Sequence, residues 1–540
     1  MTKTMYIVLI IIITCSLAIA DDPLFKRQWY LMPKNMSKTE GYCVPCLDMD
    51  NVWKSYTKGE RYVRLLILEL EKSDNFKSIM EHPDLKLTDE NYKFSTYFEE
   101  GWTDPKIVSL KDRRSYPIKG VDDNEDIDRY LAEPDSTYRN ASIMPSGADK
   151  WHDLAVLGVV GAIHDNNEGI KGITSGLRLR LSFWKLSDNN IFDDIEEFND
   201  KELNQNYSRV INCSFAENRR EPEELLKDLK RLYSYGRDTN KAMKLRDNMN
   251  AGSFFVFAAG NKGKNIPFEG TKDSLATGPY RNMIVVGAVT HKGTKASYSN
   301  FGDFVEIYAP SGGNDREGIL TTFYSNEENS KKYYKQLSYT SMAAPFVSSV
   351  AALMLSVNPE LKPHDVKRIL IKTGISFDKD ATDKRIFINP ESAIKKSIHE
   401  IVMQWKLYWE RFFDKSLYHL TTHFDYYNHS RFERIKRISG TNITEFIGKD
   451  SLVDYKKRMD LLRLQYDSVR IKVQNIQIIE KDFDEEEKLV TLRFKQIYQG
   501  TGSSYFADSV VKKITFVLLK NSDGGRWWYV KSEVTEDVLL

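Results

Sequence analysis

The stretch "SYTSMAAPFVSSVAALML" (Ser338–Leu355) places one serine, Ser341, at the head of an almost wholly apolar run. Serine is a favoured N-cap because its hydroxyl accepts a hydrogen bond from an unpaired first-turn amide. Pro345 sits early in this helix, where a missing N–H costs little. Phe346, Val347, Val350, Ala351, Ala352, Leu353, Met354 and Leu355 leave no polar face, the pattern of a helix buried in a large protein. On this segment alone Ser341 reads as a cap. Whether it is instead a nucleophile depends on what the rest of the chain brings beside it.

A chain of 540 residues predicts two or three domains. With 41% hydrophobic and 29% charged residues it has the balance of a soluble globular protein. The formal net charge of +1 excludes the basic excess expected of a nucleic-acid-binding protein. At the N-terminus, Lys3 precedes an apolar run from Met5 to Ile13, and Ala18-Ile19-Ala20 precedes two aspartates. That order predicts a secretory signal peptide over residues 1–20, hence an exported, periplasmic or secreted protein. No later segment has the ~18 uninterrupted apolar residues of a spanning helix, so none is expected after signal removal. Three cysteines then remain. Cys43 and Cys46 suit a local disulfide or free thiols, and Cys213 lies in an apolar strand-like run.

From residue 60 to 397, apolar strands alternate with helical patterns. "YVRLLILEL", "LRLRLSFWK", "SRVINCSFA", "SFFVFAAGN" and "NMIVVGAV" are near-continuous apolar runs, as parallel strands covered on both faces require. "HDLAVLGVVGAIH" and "EPEELLKDLKRLYSYGRDTNKAMKLRDNM" read as helices. The alternation predicts a doubly wound α/β sheet, whose ligand crevice lies at the carboxyl ends of the strands. At those ends stand Ala258, Ala259, Gly260 and Asn261, and Ser214, Phe215 and Ala216, while His152 and Ser341 each open a helix. All are expected to face one crevice.

In these segments the chain resembles the subtilisin-like serine proteases over roughly residues 25–397. "YTSMAAPFVSSVAALML" resembles the family's nucleophile block, and "FAAGN" the segment carrying the oxyanion-hole asparagine. "WHDLAVLGVVGAIHDNNEGIKGI" is similar to the histidine block, and "VINCSFA" to the strand that pairs with substrate. "SYSNFGDFVEIYAPS" and "NPELKPHDVKRILIKTG" follow in the family's order. The resemblance implies a serine endopeptidase acting on protein or peptide substrates. Ser341 is then nucleophile, His152 base and Asn261 oxyanion donor, and Ser214, Phe215, Ala216, Ala258, Ala259 and Gly260 line the substrate. The chemistry needs just such an activated hydroxyl, a base and fixed donors.

The chain departs from the pattern in places. Tyr339, Asp153 and Ala216 stand where the family has glycine, and Ala155 where it has a second histidine. Bulk at such positions narrows a cleft, which keeps open a second reading, a pseudoprotease that binds peptides or envelope partners without cutting them. The family's acid should close "YVRLLILEL", where Glu69 stands. Asp74 is the competing candidate, and the absence of any acid is the third. "HDNNEGI" resembles the family's calcium loop, with Asn166 the matching residue, so a structural calcium ion is a candidate cofactor alongside a plain polar turn. "GVDDNEDIDRY" (residues 120–130) is read as a solvated acidic loop. Residues 21–59 form an N-terminal extension too short for the family's inhibitory prodomain, so none is expected.

Beyond residue 397 the composition changes. "EIVMQWKLYWERFFDKSLYHLTTHFDYYN" reads as an aromatic-rich helical segment. "DSVRIKVQNIQII", "KLVTLRFKQIYQG", "DSVVKKITFVLLK" and "GRWWYVKSEV" read as strands, with Asp523-Gly524-Gly525 a hairpin turn between the last two. Residues 398–540 are thus expected to form an α+β domain. Trp405, Trp409, "FKQIYQG" and "RWWYVKSEV" resemble the NTF2-like cone module of bacterial cell-wall L,D-transpeptidases and carboxypeptidases. That resemblance implies an accessory module contacting a protein or envelope partner.

Overall fold

The computed structural model describes residues 22–32, 46–59, 63–69, 82–85, 92–96, 152–175, 178–183, 209–214, 253–267, 278–313, 318–327, 330–377, 385–413, 425–438, 441–447, 457, 461, 464, 466–483, 488–502, 506–520 and 526–537. The expected signal peptide, Cys43, Asp74, the acidic stretch 120–130, Phe215, Ala216, the long helical pattern after them and Asp523-Gly524-Gly525 lie outside the described residues.

The five apolar runs form β1 (Arg64–Glu69), β3 (Arg178–Phe183), β4 (Arg209–Cys213), β5 (Ser253–Ala258) and β6 (Met283–Val289). They join β2 (Tyr92–Thr96), β7 (Ile307–Pro310), β10 (Ile375–Phe377) and β11 (Arg385–Phe387) in one sheet, ordered β10-β11-β7-β6-β5-β4-β1-β3-β2. Every neighbouring pair is parallel except β10 and β11. Each residue of β5 and β6 is buried, which is why neither shows the alternation of a half-exposed strand.

The helices are α1 (Met49–Ser55), α2 (His152–Gly161), α3 (Thr340–Val357), α4 (Pro363–Thr373) and α5 (Pro390–Phe413). All 18 residues of α3 are buried. It is apolar and long enough to cross a membrane by composition, yet it lies against β4 to β7, α2 and α5 as the core helix of this unit. Burying each of its large side chains contributes ~1.5–3 kcal/mol. A hairpin of β8 (Ile319–Glu327) and β9 (Ser330–Leu337) covers α2. Thr321 and Thr322 Oγ1 donate to the carbonyls of Ala155 and Leu154, both at 2.6 Å. The approach requires Gly158, because a Cβ there would stand 2.2 Å from Thr322 Oγ1.

The second sheet has the order β13-β12-β17-β16-β15-β14. Its strands are β12 (Asp425–Ile438), β13 (Thr441–Ile447), β14 (Tyr466–Asp482), β15 (Lys488–Gly502), β16 (Phe506–Lys520) and β17 (Arg526–Asp537). β14 to β17 are the four expected strands and run antiparallel in sequence order. The helical reading of residues 400–428 overran. The described helix is Pro390–Phe413, and Asp425 already begins β12, because "DYYNHSRF" carries aromatic residues that suit a pleated strand as well as a helix.

The expected boundary at 397/398 falls inside α5, which runs unbroken through it. Its first half packs on α3 and its second on β14, so the apolar core continues from one sheet to the other. Trp405 lies 5.5 Å from the Phe494 ring, and Glu410 Oε1 accepts the Ile471 N–H at 2.7 Å. Across the seam, Glu360 Oε1 accepts the Trp528 N–H at 2.8 Å. Burial drives the Glu360 carboxyl up to about 7. A carboxyl raised in the folded state stabilises at low pH and loses that contribution as pH rises through its folded value. The melting temperature is therefore expected to fall between about pH 5 and pH 8, with part of the slope abolished in Glu360→Gln; a thermal melt series in both proteins reads this directly.

Candidate active site

The site is built from the carboxyl edge of the first sheet. Leu68 pairs with Cys213, and Cys213 with Phe257. The next residue along each strand is Glu69, Ser214 or Ala258, so these three backbones share one row at the edge. β1 and β4 flank the point where strand order reverses: β2 and β3 lie to one side, β5 to β7 to the other. Crevices in open α/β sheets form at such points.

Two helices begin near this edge. His152 is the first residue of α2 and is partly exposed. Ser341 is the second residue of α3, and the N-cap is Tyr339, with no capping bond from its side chain. Ser341 is thus not the cap, and its Oγ makes no hydrogen bond among the described residues. Its N–H belongs to a first helical turn, where amides lack intrahelical partners and the helix dipole favours negative charge.

Asn261 is fixed by its oxygen. Oδ1 accepts both the Thr340 N–H and the Thr340 hydroxyl, each at 2.8 Å. With that end tied to the residue before Ser341, the Nδ2 end is left as donor. Thr340 Oγ1 also accepts the Gly260 N–H at 3.1 Å. Asn300, fully buried, clamps the same loop: it donates to the Ala259 carbonyl at 2.9 Å and accepts the amides of Lys262 and Lys264 at 3.2 and 2.9 Å. Gly260 has φ of +93°, a conformation that suits glycine. Ala258 ends β5, and the Ala259 N–H bonds the Val286 carbonyl at 2.9 Å. Sequence reasoning missed Thr340 and Asn300. The signal was a threonine and an asparagine inside quoted blocks, legible only once their partners are known.

Tyr339 has φ of +85° and ψ of 159°, a conformation that favours glycine. A bulky residue there is strained by ~1–3 kcal/mol. Its surroundings hold it in place. The Tyr339 N–H donates to Tyr298 Oη at 2.9 Å, Ser311 Oγ donates to the Tyr339 carbonyl, and the two tyrosine rings lie 5.0 Å apart. Asp153, another substitution for glycine, is buried and accepts the Leu154 N–H at 2.7 Å, while Ala155 is buried under β8. Ser214 is fully buried, and its side chain turns from the crevice into the core, donating to the Ser341 carbonyl at 2.9 Å.

The loop around Asn166 is closed by protein donors. Asn166 Oδ1 accepts the Glu168 N–H at 2.9 Å, and its Nδ2 faces Asp84 Oδ1 at 3.2 Å. Asp84 Oδ2 accepts the Ile170 N–H at 2.8 Å. Asp22 accepts the amides of Asp165, Asn166 and Asn167 at 2.9 to 3.1 Å. Lys58 and Lys171 both pair with Asp165, at 2.7 and 2.8 Å. Calcium needs six to eight converging oxygens. Here the side-chain oxygens of Asp22, Asp84 and Asn166 gather at one loop and accept N–H groups, while Asp165 is held by the two ammonium ions.

Comparison with known protein sequences agrees with these blocks. The Subtilase family pattern matches residues 16–390, and the chain belongs to that family of subtilisin-like serine endopeptidases. An extracellular basic protease of Dichelobacter nodosus is 29% identical over 244 residues, 42% of this chain and 36% of that protein. Subtilisin DY of Bacillus licheniformis is 32% identical over 144 residues, 26% of this chain and 47% of that protein. The chain thus spans less than half the length of these two relatives. Among solved structures, a protease from Pseudoalteromonas arctica aligns with 21% identity and a TM-score of 0.44, covering 70% of this chain and all of that one.

This geometry sets two stability tests. In a helix-start position of ordinary φ, alanine would be at least as stable as glycine. At Tyr339 the order reverses, and denaturant melts should place Tyr339→Gly above Tyr339→Ala by ~1–2 kcal/mol. Around Asn166, Asp22→Ala, which strands three amides, should lower stability by at least ~2 kcal/mol.

Proposed function

We propose that the chain is an exported serine endopeptidase that cuts protein or peptide substrates through an acyl-enzyme on Ser341. Ser341 Oγ attacks the scissile carbonyl while His152 takes its proton. The oxyanion is stabilised by Asn261 Nδ2–H and the Ser341 N–H. Collapse breaks the C–N bond, and His152 returns the proton to the departing amine. Water, activated by the same histidine, then hydrolyses the ester. Glu69 accepts the imidazole N–H and fixes its tautomer. Substrate backbone lies along Ser214–Ala216 and Ala258–Gly260. The observation that carries this reading is the fastening of Asn261 Oδ1 to Thr340, which leaves a donor fixed beside the helix start that holds Ser341.

Export is supported by the N-terminal apolar run and by relatives described as extracellular. α5 and the second sheet are proposed to form an NTF2-like accessory unit, supported by one long aromatic helix lying on a run of antiparallel strands. Its partner would be a protein or an envelope component.

A fluorophosphonate probe tests the core of the proposal. Wild type should be labelled and Ser341→Ala should not. Asn261→Leu should lower kcat by ~10²–10³, and Glu69→Gln by ~10³–10⁴, each with folding intact. Folded wild type that takes no label would favour the peptide-binding pseudoprotease, the reading to which Tyr339 and Asp153 at former glycine positions lend weight.

A further inference from the structure

Pro345 sits inside α3, as its sixth residue. In an α-helix the carbonyl of residue i accepts the N–H of residue i+4. The Ser341 carbonyl should therefore be served by residue 345, and proline has no N–H to give. Ser341 is 3% exposed, so water cannot readily take that role. A buried acceptor left unpaired loses its hydration without replacement and destabilises the fold.

The missing donor comes from another strand. Ser214, just past the end of β4, donates its hydroxyl to the Ser341 carbonyl at 2.9 Å. The direction of that bond is set from behind, because Asn212 Nδ2 donates to Ser214 Oγ at 2.8 Å and so occupies the hydroxyl as acceptor. Asn212 Oδ1 faces Ser348 Oγ at 3.1 Å, and that hydroxyl is shared with the Pro345 carbonyl at the same distance. Asn212, Ser214 and Ser348 are all fully buried. Asn212 and Ser214, two residues apart, point to one face of the strand. The chain of bonds leaves α3 at Ser341, crosses β4 and returns to α3 at Ser348, spanning the proline.

We propose that Ser214 is a positioning residue for Ser341, supplying from β4 the helix hydrogen bond that Pro345 removes; this rests on the reading of Ser341 as nucleophile. The Ser341 carbonyl belongs to the peptide that follows its Cα, so holding that oxygen fixes the rotation about the Cα–C bond. The Cα–Cβ direction, and with it Oγ, is then set relative to the sheet edge where the base and acid stand. Ser214 acts through Ser341, and its side chain needs no contact with substrate. Asn212 acts one bond further from the nucleophile, by keeping the Ser214 proton aimed at the carbonyl.

The test exploits the proline. In Pro345→Ala the backbone regains an N–H at position 345, which can restore the helical bond. Ser214→Ala in the otherwise native full-length protein should slow fluorophosphonate labelling and lower kcat by about 10- to 100-fold, with KM little changed. Combined with Pro345→Ala, the same Ser214→Ala change should cost far less. An equal loss in both backgrounds overturns the proposal. So does a Ser214→Ala protein that melts lower but, while folded, labels at the wild-type rate, since that is a purely structural bond. Should wild type take no label, the nucleophile reading fails by itself. The hydrogen-bond exchange is then read in thermal unfolding, where Ser214→Ala must destabilise the proline protein more than the alanine protein, and additive melting shifts reject it.

Discussion

The structure depends on the complete burial of α3. A helix with no face toward water can hold only those polar groups that find partners inside, and this one carries several. Thr340 meets Asn261 and Gly260, the Ser341 carbonyl meets Ser214, Ser348 meets Asn212, and Ser356 Oγ turns back to the Ala352 carbonyl. Each of the first three partners comes from the carboxyl end of β4 or β5. The dry packing that stabilises the fold thereby also fixes the register between the helix start and the sheet edge. A shift of α3 along its axis would strand buried donors and acceptors together, each at ~1–3 kcal/mol.

Much of the first sheet was legible in the sequence because parallel strands buried on both faces read as unbroken apolar runs. β1, β4, β5 and β6 fall where "LLIL", "VINC", "FFVFA" and "MIVVGAV" placed them, while β3 falls on "LRLRLSF", which alternates arginine with leucine. Short or amphipathic strands lack that signal. β10 and β11 have three residues each, and in β8 and β9 the doublets Thr321-Thr322, Lys331-Lys332 and Tyr333-Tyr334 fit neither an unbroken apolar run nor a strict alternation. The site was legible as residue types at strand ends and helix starts. What joins them was not. Nothing in "NCS" announces that Asn212 and Ser214 face α3, nor does "SYSNFG" announce that Asn300 holds the loop of Asn261. Those roles depend on partners 36 to 136 residues away, set by sheet order rather than by local pattern.

Tyr339 shows the opposite relation. Its identity argued for an altered cleft lip, because glycine was the expected residue. The backbone nonetheless keeps a glycine-like conformation, enforced by Tyr298 and Ser311. Neighbouring side chains have taken over a task usually left to the absence of one. The substitution changes what lines the approach to Ser341 while leaving the geometry of the helix start in place.

α5 has a consequence of a different kind. A helix of 24 residues is a rod ~36 Å long, and here one end is set in the core beneath α3 and the other in the second sheet. An appendage on a flexible tether raises the local concentration of whatever it holds but leaves spacing undefined. A shared rod does the reverse. It makes the second sheet a ruler: a group seated on it would meet the first unit at one distance and one angle, and a segment too short to span that gap would not reach.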